Sequence, residues 1–326
     1  MRYVVYGAGA IGGIIGARLF ERGHDVTLIA RGDHLDAMRR DGLTLKTPEE
    51  TLTLRVPAVA HPSEITFAQD DVVFLAMKSQ HTEAALDDLA ACAPPSVRIL
   101  CAQNGVDNER MALRRFPNVY GMLVYMPGTL LEPGIVLNHM TGAWGVLDAG
   151  RYPEGVDATI ERVTSDLSEV RFSSRAEARI MRWKYNKLLS NLNNAFVAAC
   201  GTEARAPEFL AAIRAEALAC YEAAGIDCAS EEENAQRRRD SGMKFGTIEG
   251  AARDGGSSWQ SLARGSPTIE ADYLNGEIVM LGRLHGVPTP CNEALQHVAN
   301  RMARERRPAG SLPVDALLAE AGFTRA

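Results

Sequence analysis

The chain has 326 residues, 46% of them apolar and 23% charged, with a formal net charge of −6. That length exceeds one ordinary core and fits two domains, and the balance is that of a globular protein. The negative charge excludes a general attraction to nucleic acid or to an anionic membrane, although not a local basic pocket for phosphate.

The chain opens on an apolar strand, Tyr3-Val4-Val5-Tyr6, which leaves no room for a signal peptide. No apolar run reaches about eighteen residues, so a cytoplasmic protein is expected, with neither membrane nor nucleic acid as partner. The turn Gly7-Ala8-Gly9-Ala10-Ile11-Gly12 follows. A helix is predicted over 11–22, closed by Gly23. In a strand–turn–helix of this kind the first glycine permits the tight turn and the second lets backbone approach a pyrophosphate. The third lets the helix pack close to the strand. The helix N-terminus adds unpaired N–H groups and a partial positive charge. The alternative, a plain strand–helix turn, is disfavoured by the position directly after an N-terminal apolar strand.

A second strand over 25–30 ends in Ile29-Ala30-Arg31-Gly32. An NAD site usually carries Asp or Glu there to hold the ribose hydroxyls. Arg31 instead suits a 2′-phosphate through forked, charge-assisted hydrogen bonds, so NADP(H) is favoured over NAD, with His34 as a helper. Strands over 71–76 and 97–102 flank a helix over 82–91. Continuous apolar strands alternating with helices imply a doubly wound, mostly parallel sheet covered on both faces. The β-like runs over 119–147 are read as extending its far edge. Lys78 and Asn104 each follow a strand end, where such sheets bind ligands; a helix-capping cation and an Asn-Gly turn are their structural alternatives.

Past residue 150 a helix is predicted over 158–170, and from 175 onward helices dominate. One long helix is expected over 176–200, with others over 207–224, 230–240, 267–285 and 291–305. The division falls into an N-terminal α/β domain, 1–172, and an all-α domain, 173–326. The segment 254–258 reads as a loop. Glu233 and Arg237 stand at i, i+4, the spacing of an exposed self-paired helix, and the basic cluster 301–307 reads as solvated surface. The tail 311–326 includes a short amphipathic helix that suits docking on the core or on another subunit, so a homodimer is compatible. The six cysteines are scattered without a Cys-x-x-Cys pair and the seven histidines form no ligand-spaced cluster. Buried, inert thiols and no metal are expected.

Several local signatures together resemble the ketopantoate reductase family. They are Ala76-Met77-Lys78-Ser79, Gln103-Asn104-Gly105-Val106, Lys187-Leu188-Leu189-Ser190-Asn191, and Ser257-Ser258 ahead of Thr268-Ile269-Glu270-Ala271-Asp272-Tyr273-Leu274-Asn275-Gly276. Gly286-Val287-Pro288-Thr289-Pro290 closes the series. Order and spacing cover roughly residues 1 to 300. The resemblance implies a Rossmann domain followed by a helical one, with substrate in the cleft between them, and NADPH-dependent reduction of a 2-oxo acid to a 2-hydroxy acid. It implies Lys187 and Glu270 as catalytic, and Asn104, Asn191, Ser258 and Glu270 as substrate contacts, with Asn104 also on the nicotinamide side. One departure stands out. The family's second amide falls at Ala195, and Asn193 or Asn194 could replace it only with a side-chain direction turned by roughly 100° per residue.

The residues make sense of these roles. Lys187, Asn191 and Asn194 share one helix face at i, i+4 and i+7, within an apolar stretch of Leu188, Leu189, Leu192, Ala195 and Phe196. Polar groups so placed need partners, which a substrate or a helix-tying network would supply. Ketone reduction builds negative charge on oxygen, so a nearby ammonium stabilises the transition state and can donate its proton. Lys184, on the same stretch, is expected in solvent, and Glu270 in a first helical turn would also favour the dipole. Two other readings stand beside ketopantoate reduction. One is a related dehydrogenase for another hydroxy or amino acid, permitted by Ala195. The other is an NADP(H)-binding sensor without turnover, which has no need of a proton donor such as Lys187 beside Glu270.

Overall fold

In a computed structural model, residues 1–250 and 255–324 are described. They form two compact units: one of residues 1–104, 108–184 and 230–250, the other of 105–107, 185–229 and 255–324.

The first unit carries strands β1 (Tyr3–Tyr6), β2 (Val26–Ile29), β3 (Leu43–Lys46), β4 (Thr51–Leu54), β5 (Ala58–Val59), β6 (Val72–Leu75), β7 (Arg98–Cys101) and β8 (Asn118–Met122). It continues with β9 (Gly128–Glu132), β10 (Ile135–Asn138), β11 (Met140–Gly142), β12 (Ala149–Arg151) and β13 (Met243–Phe245). Its helices are α1 (Ala10–Glu21), α2 (Gly32–Asp41), α3 (Thr82–Ala90), α4 (Asn108–Leu113) and α5 (Ala158–Glu169). Seven strands make the main sheet, in the order β12-β8-β7-β6-β1-β2-β5. All pair in parallel except β12, which runs antiparallel to β8. Every residue of β6 is buried, as a sheet covered on both faces requires.

The segment 119–147 does more than extend this sheet. β8 joins it, but β9 and β10 pair with β3 and β4 in a second sheet ordered β4-β3-β10-β9. Helix α1 touches strands of both sheets. Gly16 accordingly faces Leu28, whose Cδ2 would stand 2.5 Å from an added Cβ, and Gly13 faces Val136, whose Cγ1 would stand at 3.0 Å.

The second unit is helical. The chain enters it within α6 (Ile180–Asn191) and continues through α7 (Asn193–Cys200) and α8 (Pro207–Ala223). The helix α9 (Glu231–Asp240) belongs to the first unit. Then come α10 (Ser257–Ala263), a 3-10 turn at Glu270–Tyr273, α11 (Asn275–His285), α12 (Pro290–Arg304) and α13 (Val314–Glu320). Its core gathers Leu188, Leu192, Phe196, Phe209, Ile213, Ile278, Leu295 and Val298, all nearly inaccessible.

The helix predicted over 176–200 starts at Ile180 and is interrupted at Leu192, whose carbonyl also accepts from the Nδ2 of Asn275 at 3.1 Å. Leu192 itself keeps helical angles (φ −58°, ψ −30°), so the axis carries on. The helix predicted over 267–285 splits at Leu274, whose ψ of −88° lies outside the helical range. Glu270 therefore sits in a 3-10 turn. Ser257 and Ser258 open α10 instead of lying in a loop; Asp254 is outside the described residues.

The expected Glu233–Arg237 pair does not form. Glu233 accepts from Arg182 at 2.7 and 2.8 Å and caps its own helix through the Ser230 amide, and these hold its carboxyl at about 2. Arg237 is buried and grips Asp148 with two hydrogen bonds of 2.6 Å. Tertiary partners outcompete the i, i+4 spacing because a buried forked pair is stronger than a solvated one. Arg301, read as solvated, pairs with Glu320. The tail docks on its own unit, with Leu317 and Leu318 buried and Phe323 edge-on to Phe209 at 5.3 Å.

Candidate active site

The glycine turn lies between β1 and α1. Gly7 has φ +100°, and a Cβ there would stand 2.7 Å from the Met77 nitrogen. A Cβ on Gly12 would overlap the Gly7 carbonyl and lie 2.8 Å from Val5 Cγ1. Gly9 differs: no protein atom stands within 4 Å of the place its Cβ would take. The protein gains nothing from a glycine there, whereas an approaching diphosphate would. The first turn of α1 (Ala10, Ile11, Gly12) carries no acidic residue and no side-chain cap, leaving N–H groups for an anion. These residues fit a dinucleotide.

His34 does not stand ready for a 2′-phosphate. Its Nδ1 accepts the Gly134 N–H at 2.8 Å, so its Nε2 carries the proton and donates to the Ala8 carbonyl at 2.7 Å. Burial lowers its pKa below the ordinary histidine value. His34 thus braces the glycine turn from outside. Arg31 is exposed, at the N-cap of α2.

Lys78 and Asn104 follow the carboxyl ends of β6 and β7, adjacent parallel strands, and both are half-buried. Side chains to which the sequence pattern assigns no role tie these two strand ends together. Gln103 Nε2 donates to the Met77 carbonyl at 3.1 Å and to Thr82 Oγ1 at 2.7 Å. Asn108 Nδ2 donates to the Asn104 carbonyl and to Ser79 Oγ, each at 3.1 Å, while Thr82 Oγ1 donates to Asn108 Oδ1 at 2.7 Å.

Lys184 overturns the expectation of a solvated lysine. Its side chain is 2% exposed, its Nζ lies 2.6 Å from the fully buried carboxylate of Glu109, and it donates to the Gln103 carbonyl at 3.0 Å. Burial, and then the Glu109 carboxylate, push the Cys101 thiol well above its ordinary pKa, so that cysteine is inert.

In the second unit, Lys187 on α6 is half-buried. One turn later Asn191 is buried, and its Oδ1 has no hydrogen-bond partner among the described residues. Ser258 and Glu270 are also buried. Ala195 points into the core, and Asn194 Oδ1 stands 3.4 Å from where a Cβ of Gly256 would be.

Among the described residues the fold does assemble one group with metal-ligand chemistry that the spacing of histidines concealed. Donor atoms of His24, Asp166 and Glu169 lie within 4.8 Å of one another. Asp166 is, however, already taken by the Tyr3 hydroxyl at 2.5 Å and by Arg162 at 2.6 Å. No helix among the described residues is long and apolar enough to cross a membrane.

A parallel sheet with this turn at its carboxyl edge, in a chain with a helical second unit, marks a nicotinamide-dependent oxidoreductase. The family model for ketopantoate reductase PanE/ApbA matches residues 3–154, and that for its C-terminal part matches 179–303. The 2-dehydropantoate 2-reductase of Mesorhizobium japonicum is 30% identical, covering 94% of this chain and 99% of its own. The chain belongs to the ketopantoate reductase family. A PanE/ApbA family ketopantoate reductase from Ralstonia eutropha superposes with a TM-score of 0.77 at 25% identity, covering 94% of this chain and all of its own. D-mandelate dehydrogenase, solved with NADH and anilino(oxo)acetate, reaches 0.80 at 23% identity over 94% of this chain and 99% of its own, a likeness of fold.

Proposed function

We propose that the protein reduces a 2-oxo acid to the 2-hydroxy acid with NADPH, and that its substrate is 2-dehydropantoate. Residues 1–172 carry the dinucleotide and residues from 173 on carry the substrate. When bound, the reduced nicotinamide supplies hydride to the carbonyl carbon. The turn Gly7, Ala8, Gly9, Ala10, Ile11 and Gly12 holds the diphosphate, with Lys78 and Asn104 at the neighbouring strand ends. Arg31 selects NADPH, because an exposed guanidinium at the end of β2 suits a 2′-phosphate and no acidic residue is there for a ribose diol. Lys187 stabilises the developing alkoxide and delivers its proton. Asn191, Asn194, Ser258 and Glu270 hold the carboxylate and hydroxyl groups of the substrate, together with Asn104.

The observation that most supports this reading is Asn191. A buried amide with an unused acceptor, one turn after a half-buried lysine, is matched by a substrate hydroxyl. Reduction of a different 2-oxo acid is the second reading, favoured by the apolar Ala195 where the family pattern carries an amide. NADPH oxidation assayed over ketopantoate and branched, linear and aromatic 2-oxo acids separates the two. In the same assay Lys187→Ala is expected to cut turnover at least about 100-fold, with NADPH affinity kept. Turnover surviving in that variant would move the proton-donor role elsewhere.

A further inference from the structure

We propose that Lys184 is a positioning residue of the reductase: paired with Glu109, its ammonium holds the Gln103 carbonyl and thereby sets the backbone at Asn104. This rests on Asn104 being a cofactor and substrate contact.

The pair occupies an unusual place. β7 and β8 are in register at Cys101 and Gly121, near their carboxyl ends. A Cβ on Gly121 would stand 3.1 Å from Glu109 Oε1 and 3.4 Å from Lys184 Cδ. The ion pair therefore lies directly on the sheet, in the space a glycine leaves. Both side chains are essentially inaccessible, and two charges taken so far from water recover their desolvation cost only with good geometry. Two apolar side chains would cover Gly121 at least as well. They could not donate to a carbonyl oxygen. The Lys184 hydrogen bond to Gln103 at 3.0 Å is what the charged pair adds.

That carbonyl is the last peptide oxygen before Asn104. The next one, of Asn104 itself, is held by Asn108. The two successive carbonyls are thus fixed by side chains from α6 and α4, while the Gln103 side chain spans to Met77 and Thr82 beyond β6. Lys184 and Glu109 are the charged members of a network whose other links are amides and hydroxyls. Without the ammonium, the Gln103 peptide loses a donor it cannot replace from water, and the Asn104 side chain samples orientations outside the productive one.

The test uses the full-length protein with Lys184→Met and Glu109→Leu combined, which removes both charges and keeps apolar cover on Gly121. The expected result is an unchanged or raised melting temperature, an NADPH Kd within about threefold of wild type, and a kcat at least about tenfold lower. Amide hydrogen exchange over residues 102–105, without any ligand, is expected to quicken. If that variant fails to fold, Lys184→Leu with Glu109→Gln carries the same test, since leucine has no donor for the Gln103 carbonyl. Adding Asn104→Ala to either background is expected to cost little more, because both changes act on one element. Full kcat in the charge-free variants, unchanged exchange, or losses that multiply with Asn104→Ala would overturn the proposal. Wild-type turnover in Asn104→Ala alone would instead refute the reading of Asn104 on which it stands.

Discussion

Replacing Gly9 with alanine separates what the glycine turn does for folding from what it does for the ligand. At Gly9 the backbone has φ −71° and ψ −155°, open to any residue, and the new methyl meets no protein atom within 4 Å. Gly→Ala at a compatible position stabilises by about 0.4–1 kcal/mol through the unfolded chain, so the melting temperature should hold or rise slightly. Inserting a methyl into a close-packed contact costs about 1–3 kcal/mol. If the diphosphate lies against Gly9, NADPH binding should therefore weaken roughly 5- to 150-fold. Gly7→Ala provides the contrast, because φ +100° and a Cβ at 2.7 Å from the Met77 nitrogen burden the folded state itself. Strain of that kind costs about 1–3 kcal/mol, so this variant should melt lower with or without ligand. Thermal unfolding and fluorescence titration with NADPH, run on both variants, give the answer. A Gly9→Ala protein that binds NADPH as wild type does would refute the placement of the diphosphate. One that melts as low as Gly7→Ala would refute the steric account.

Arg31→Ala should erase most of a preference for NADPH over NADH, read as the ratio of the two dissociation constants; an unchanged ratio removes Arg31 from the 2′-phosphate. His34 should make the brace on the glycine turn pH-dependent. Its folded pKa lies below the ordinary value of about 6.5, so below that pH the unfolded chain takes up a proton that the folded one resists. The stabilisation is complete above about pH 6.5 and fades as pH falls toward the folded pKa, where a protonated Nδ1 would face the Gly134 N–H. The melting-temperature gap between wild type and His34→Ala should thus be widest at pH 8 and narrow toward pH 5. A gap independent of pH would mean that His34 stays out of this titration.

Features written in short stretches of chain were legible from sequence. The strand, turn and helix from Tyr3 to Glu21, the parallel strands with their intervening helices, and the helices at 158–169, 207–223 and 290–304 all follow from local apolar pattern and punctuation. What escaped depends on partners far along the chain. Lys184 and Lys187 are three residues apart in similar surroundings, and nothing local says which is buried. The difference is made by the Gln103 carbonyl, 81 residues away, and by Glu109. Arg237 stands at i, i+4 from Glu233, yet Asp148, 89 residues away, holds it. The second sheet was missed because β4 alternates between exposed and half-buried residues and carries little apolar signal. Asn275 lies inside a family signature, yet its bond to the carbonyl of Leu192, 83 residues away, has no local signature.

The Leu192 interruption decides how the departure at Ala195 is to be understood. Had the break reset the helix, α7 could have turned Asn194 to the direction that residue 195 takes on an unbroken helix. Leu192 keeps helical angles, and its N–H still donates to the Leu188 carbonyl at 3.1 Å, so the rotation of roughly 100° per residue carries through. Ala195 stays in the core at 3% exposure, and Asn194 turns its amide oxygen toward Gly256, at the start of the helix that bears Ser258. The amide has moved to a different neighbour. A methyl on Gly256 would cover that oxygen at 3.4 Å, an ordinary contact, so Gly256→Ala should fold normally. If Asn194 and Ser258 together hold the substrate, that variant should raise KM for the 2-oxo acid while leaving NADPH affinity unchanged. An unaltered KM would detach Asn194 from substrate recognition and leave Asn191 as the amide on this helix that serves it.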